Sequence, residues 1–190
     1  MEKKVSKLIN DQINKEMYSA YLYLDFANHF TEKGLDGFAN WYNIQAKEEM
    51  DHALKFIAYL HDNDEKVTYE AIAKPESKSK EDIDVLKAAY AHEKFITASI
   101  NAIYAEASKV NDYRTTQFLD WFISEQAEEE KRLEEERILK EEREREEARK
   151  KEAEEAAKKA KEKSSDKEKT ERKAPTFPKT ERKPAFTKNF

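Results

Sequence analysis

The run Glu49-Met50-Asp51-His52 sets a carboxylate and an imidazole three residues apart, one turn of helix. On a helix, Glu49 shares an apolar stripe with Leu35, Phe38, Tyr42, Ala53, Phe56 and Leu60, and His52 borders it. An unpaired charge aimed at a core costs several kcal/mol, so the pair needs partners or a metal. Other polar residues interrupt apolar stripes in the same way. Glu16 and, seven residues on, Tyr23 border the stripe Val5, Ile9, Ile13, Met17, Ala20, Leu24 and Ala27. Glu93 stands among Leu86, Tyr90, Thr97, Ile100 and Tyr104. Gln126 sits within Thr115, Leu119, Phe122 and Leu133, with Glu129 at the border. Carboxylates with one imidazole and no thiol suit iron or manganese. A structural salt bridge would need a basic residue in these stripes, and they hold none.

Four amphipathic helices must carry these groups. The first spans about 4–33 and ends at Lys33-Gly34, with Gly34 suited to a left-handed cap. The second follows at once, from Leu35 to about Asp62, as an antiparallel neighbour. Residues 63–80 are polar and contain Pro75, which reads as a long crossover. Ser79 followed by Asp82 marks a helix start, and the third helix ends near Lys109–Asp112. The two turns act as rulers. Glu16 lies 18 residues before Gly34, and Glu49 and His52 lie 15 and 18 after it. Glu93 lies 18 before Asn111, and Gln126 and Glu129 lie 15 and 18 after it. Two hairpins joined by a crossover and related by a pseudo-twofold axis would bring all six groups to the middle of one bundle.

Composition divides the chain. All nine Tyr, both Trp and all three Met precede Ile123, and no aromatic residue follows Phe122 until Phe177. Net charge is −7 over residues 1–127, −2 over 128–163 and +4 over 164–190. A mildly acidic body argues against nucleic acid as a partner of the core. The absence of cysteine excludes disulfides, cysteine-ligated clusters and thiol catalysis. No apolar run reaches membrane-spanning length and the polar start is not a signal peptide, so a cytoplasmic protein without a membrane partner is expected.

The stretches LINDQINKEMYSAYLYLDFA, NIQAKEEMDHALKFIAYL, AAYAHEKFITASINAIY and QFLDWFISEQAEEE closely resemble bacterial non-haem ferritin, over about residues 5–132. The resemblance implies a ferritin-like all-α four-helix bundle with a long crossover. It assigns Glu16, Glu49, His52, Glu93 and Gln126 to a di-iron ferroxidase centre. It assigns Glu48, Glu125 and Glu129 to a third, neighbouring iron position, and sets Tyr23 beside the site as a catalytic candidate. It further implies a homo-oligomer, a hollow shell of twenty-four subunits, that oxidises Fe(II) with O2 and stores ferric mineral. Gln126-Ala127-Glu128-Glu129 departs from the Glu-x-x-His pattern, which leaves a tight metal position beside a looser one. Met50 falls where a bacterioferritin-like chain would place a haem ligand, but its neighbours read as non-haem and haem is not expected. A rubrerythrin-like peroxidase would bring an iron domain held by four cysteines, which this chain lacks.

Beyond Leu133 the apolar stripe should meet residues near 136, 137, 140 and 144 and instead meets Glu136, Arg137, Lys140 and Glu144. Three regions are therefore expected: a di-iron bundle over 1–133, a charged solvated helix over 134–163, and a basic Pro-containing disordered tail over 164–190. The tail repeats Lys169-Thr170-Glu171-Arg172-Lys173 at Lys179-Thr180-Glu181-Arg182-Lys183. The altered C-terminal part also raises a second function, a non-catalytic helical scaffold or oligomerisation base that displays the charged helix and basic tail.

Overall fold

The computed structural model describes residues 1–75 and 81–171. There the chain forms four helices, α1 (Lys3–Glu32), α2 (Asp36–Asp62), α3 (Asp82–Lys109) and α4 (Tyr113–Glu171), and no strand. At the start of α1 the Glu2 carboxylate accepts from the backbone N–H of Lys4 at 2.7 Å and of Val5 at 3.3 Å, satisfying two otherwise unpaired donors. The first three helices end in one kind of cap. Gly34, Asp64 and Asn111 have φ of 70°, 57° and 56°, the left-handed region that Gly enters freely and Asn and Asp tolerate. The next residue then donates back into the helix: Leu35 to Phe30, Glu65 to Leu60 and Asp112 to Ala107, each at 2.9 Å. Gly34 and Asn111, the two reference points for the polar heights, thus hold the same place in the same cap.

α1 packs along α2 and against α3. α2 meets α4 through stacked rings, Phe56 on Phe122 at 4.3 Å and Tyr59 on Phe118 at 3.9 Å. The link from α2 to α3 lies along α1. Asn10 accepts from the Thr68 N–H at 2.8 Å and donates to the Lys66 carbonyl at 3.1 Å, and Asn14 donates to the Glu70 carbonyl at 3.3 Å. This is the expected crossover, and the bundle is all-α and ferritin-like. Ser79 lies outside the described residues, and Glu81 caps α3 without a side-chain bond.

Two apolar clusters fill the interior. One includes Ile9, Ile13, Phe56, Leu60, Ile100 and Phe122, and the other Tyr23, Phe26, Phe30, Tyr42, Leu86 and Leu133. The stripes differ in detail from the sequence expectation. Leu24 is 46% exposed, because the apolar face of α1 turns through Tyr23, Phe26 and Phe30 instead. On α3 the buried face runs through Ala89, Ile96 and Ile103, leaving Tyr90, Thr97 and Tyr104 half-buried one position aside. A straight helix has 3.6 residues per turn, so a row read at fixed steps drifts off the core over its length.

Among the described residues, Leu133 is the last buried apolar side chain of α4, but the compact unit extends to Glu142. Charged side chains carry it there. Arg137 bridges Glu134 at 2.7 Å and Glu141 at 2.9 Å, and Asp82 gathers Lys33 at 2.7 Å, His29 at 3.2 Å and Lys140 at 3.3 Å. A second unit begins at Arg143. Its side chains from 143 to 159 are exposed, with i,i+4 pairs Glu146–Lys150 at 2.7 Å and Glu155–Lys159 at 3.9 Å. α4 continues to Glu171, into the segment expected to be tail; its Lys- and Glu-rich sequence favours helix and the first proline comes only at Pro175. The remainder of the tail, with the second copy of the repeat, lies outside the described residues. No described helix is long and apolar enough to cross a membrane.

Candidate metal centre

Between the two apolar clusters lies a polar layer fed by all four helices: Glu16 from α1, Glu49 and His52 from α2, Glu93 from α3, and Gln126 and Glu129 from α4. None of the six is more than 3% exposed, so bulk water does not solvate their charges. Glu16, Glu49 and His52 each offer one ligating atom, all within 4.8 Å of one another. Glu49, Glu93 and Glu129 form a second such set, and Glu49 belongs to both.

The hydrogen bonds are uneven across the layer. Glu93 is held on both oxygens: Oε1 accepts from the Tyr23 hydroxyl and Oε2 from Gln126 Nε2 at 2.8 Å. Glu16 is held on one, with Oε1 accepting from Gln12 Nε2 at 2.8 Å. Glu16 Oε2, both oxygens of Glu49, both of Glu129 and Nδ1 of His52 have no hydrogen-bond partner outside the carboxyl cluster, within which Glu16 faces Glu49 and Glu93 faces Glu129. The His52 Nδ1 to Glu49 Oε2 separation of 3.6 Å is too long for a hydrogen bond. Each unsatisfied buried group costs about 1–3 kcal/mol, more if charged. A cluster of such oxygens with one imidazole nitrogen is the donor set that a divalent cation of intermediate hardness would satisfy.

Burial raises the carboxyl pKa values here. It pushes Glu16 and Glu49 well above the ordinary range, helped by Glu49 acting on Glu16 and by Glu129 acting on Glu49. Burial takes Glu93 up to about 7, against the lowering bond from Gln126. It takes Glu129 up to about 8, with the Glu93 charge adding to it. The folded layer therefore holds protons that an unfolded chain would release. Their stabilising effect is fully present below the unfolded values and is lost as pH rises through about 7 and 8. Metal-free protein in chelator should melt at falling temperature between roughly pH 5.5 and 8.5, by about 2–4 °C per kcal/mol lost. Circular-dichroism melts check this, and a Tm that rises across the window would contradict it.

The flanking candidates fall at different depths. Glu48 and Glu125 are half-buried and outside both three-ligand sets, although both charges act on Glu49. Glu129, expected at the third, neighbouring position, also lies inside the second set. Met50 is 38% exposed. His29 pairs with Asp82, and His92 meets Ser19 Oγ at 2.7 Å and is pushed down to about 4 by burial. Sequence reasoning missed Gln12, wholly buried, and its partner Ser99. Gln12 lies four residues before Glu16, on the same helix face, and that spacing was the available signal.

A crossover four-helix bundle enclosing a buried carboxylate layer is ferritin-like architecture. The sequence matches the Ferritin-like domain family over residues 6–143. It is 45% identical over 130 residues to a bacterial non-heme ferritin of Campylobacter jejuni, covering 68% of this chain and 78% of that one. A bacterial non-heme ferritin of Staphylococcus haemolyticus is 34% identical over 134 residues, covering 70% and 81%. Among solved structures, an open pore ferritin from the hyperthermophilic archaeon Archaeoglobus fulgidus superposes with a TM-score of 0.72 at 34% identity, covering 73% of this chain and 85% of that one. The Chlorobium tepidum ferritin gives 0.71 at 34%, covering 73% and 84%. The chain belongs to the ferritin family, and its role is of the ferritin type. Residues past 143 lie outside the family match.

Proposed function

We propose that this chain is a ferroxidase subunit whose substrates are Fe(II) and O2 and whose product is stored as ferric mineral. The observation that carries the reading is the sharing of Glu49 between two buried three-ligand sets, with both Glu49 oxygens lacking partners outside the carboxyl cluster. In this reading Glu16, Glu49 and His52 hold one Fe(II), and Glu49, Glu93 and Glu129 hold the second. Gln126 and Tyr23 fix the Glu93 carboxylate, and in this reading Tyr23 exchanges a proton or an electron with the iron pair; its hydrogen bond to Glu93 supports that role. Two Fe(II) each give one electron to O2, which takes up two protons and leaves as hydrogen peroxide. Cation binding displaces protons from the raised carboxyls, so substrate affinity increases with pH. Glu48 and Glu125, whose charges both act on Glu49, together with Glu129 form a third position for iron in transit.

A homo-oligomeric shell in the cytoplasm is part of the proposal. Large apolar side chains stand exposed on the bundle, among them Tyr21, Leu24, Ile44 and Leu54, as they would on a subunit with neighbours. The charged unit from Arg143 favours a second reading, a scaffold that displays this helix without catalysis.

Aerobic addition of excess Fe(II), followed by sedimentation velocity, separates the two. The proposal expects oxidation well above the protein-free rate and a large particle holding far more than two irons per chain. His52→Ala is expected to slow the oxidation at least about tenfold through the lost ligand. Oxidation at the protein-free rate would favour the scaffold.

A further inference from the structure

A chain of hydrogen bonds leads out of the polar layer at Glu16. Lys15 Nζ donates to Ser99 Oγ across the α1–α3 contact, and the Lys15 ammonium also lies 5.7 Å above the Phe95 ring. Ser99 Oγ donates to Gln12 Oε1 at 2.6 Å, and Gln12 Nε2 donates to Glu16 Oε1 at 2.8 Å. Gln12 is wholly buried.

An ammonium only donates, so the Ser99 oxygen accepts from Lys15, and the Ser99 hydroxyl in turn donates to Gln12 Oε1. The Gln12 carbonyl is thereby turned to Ser99 and its amide nitrogen to Glu16. With Glu16 ionised, as it is when it ligates a cation, a flipped amide would set its carbonyl oxygen against a carboxylate oxygen in a buried site. Glu16 is left bonded through Oε1, with Oε2 as the oxygen that has no partner outside the carboxyl cluster. On the other side of the layer Gln126 and Tyr23 occupy both oxygens of Glu93, so the two carboxylates are held differently.

We infer that Gln12, Ser99 and Lys15 are positioning residues that orient Glu16 and reserve its Oε2 for iron. The inference rests on the reading of Glu16, Glu49 and His52 as an iron site. Only Gln12 hydrogen-bonds Glu16 directly; Lys15 is two hydrogen bonds further out, although its charge also acts on Glu16. Loss of such outer partners typically weakens metal affinity 10–100-fold.

The test is a titration with Co(II), which avoids oxidation, followed by its visible absorption. A Glu129→Gln background leaves only the Glu16, Glu49 and His52 set complete. That protein is expected to bind one Co(II) per chain. Adding Ser99→Ala should weaken binding about tenfold or more and change the Co(II) spectrum, with the melting temperature within about 2 °C of the background. Lys15→Met, at a half-exposed position, should change the Co(II) spectrum in the same way although it makes no hydrogen bond to Gln12 or Glu16; its effect on affinity is smaller, because it also removes a positive charge that acts on Glu16. Co(II) affinity and spectrum equal to the background in both variants would overturn the positioning role while leaving the iron site standing. Failure of the Glu129→Gln protein and of the parent chain to bind Co(II) would overturn both.

Discussion

Glu49→Gln is expected to lower the rate of Fe(II) oxidation by at least about 100-fold, because a loss of roughly 3 kcal/mol of transition-state stabilisation is a factor of that size. Glu49 is the only residue common to both three-ligand sets, so its neutral amide weakens both metal positions at once. A substitution at Glu16 or Glu93 touches one. The same change should raise the stability of the metal-free protein by about 1–3 kcal/mol, since it removes a buried carboxylate that has no hydrogen-bond partner outside the surrounding carboxyls. Stopped-flow oxidation and urea denaturation read the two effects separately. Lower activity with higher metal-free stability marks a site built for a ligand. Lower activity with lower stability would mean that Glu49 serves the fold.

Phe122→Ala is expected to cost about 3–5 kcal/mol of unfolding free energy, the range for deleting a fully buried aromatic ring. The ring is 1% exposed, stacks on Phe56 at 4.3 Å and packs edge-on against Phe118 at 5.4 Å. It also supports the layer above it, standing 5.7 Å from the His52 ring. A cavity there frees the imidazole, so oxidation should slow even where the variant remains folded. Leu24→Ala supplies the contrast: its side chain is 46% exposed in the isolated subunit, and the change should stay within about 0.5 kcal/mol for that species. Urea midpoints at constant m-value check both, and equal costs at the two positions would contradict the packing described here.

The heights of Glu16, Glu49, His52, Glu93, Gln126 and Glu129 were readable from sequence because helical rise is uniform and both hairpins turn on the same cap. Gly34 announces that cap by its residue type. Asn111 does so less strongly, and Asp64 gave no warning, since an aspartate at positive φ is indistinguishable in sequence from one on a solvated loop. The core was legible where apolar residues recur at close steps, as at Ile9 and Ile13. It was not legible at Leu24 against Tyr23, where two large residues compete for one face and the neighbouring helix decides. Gln12 and Ser99 were hidden for another reason. A polar residue beside an apolar stripe looks solvated until the partner from another helix is known, and the Ser99 to Gln12 bond joins α3 to α1. Lys140 reads as an end to the core, yet it ties the following turn of α4 to the bundle through Asp82, while Arg137 pairs along α4 with Glu134 and Glu141. Charge pairing of that kind depends on what stands opposite, which periodicity along one helix does not encode.

The proposed function requires one buried layer to hold two Fe(II) through the shared Glu49 carboxylate. Its most direct test is an anaerobic equilibrium titration of the full chain with Fe(II), counting tightly bound iron per chain. Two are expected in the parent chain and none of comparable affinity in Glu49→Gln. Two tight irons retained in Glu49→Gln, or none in the parent, would contradict it.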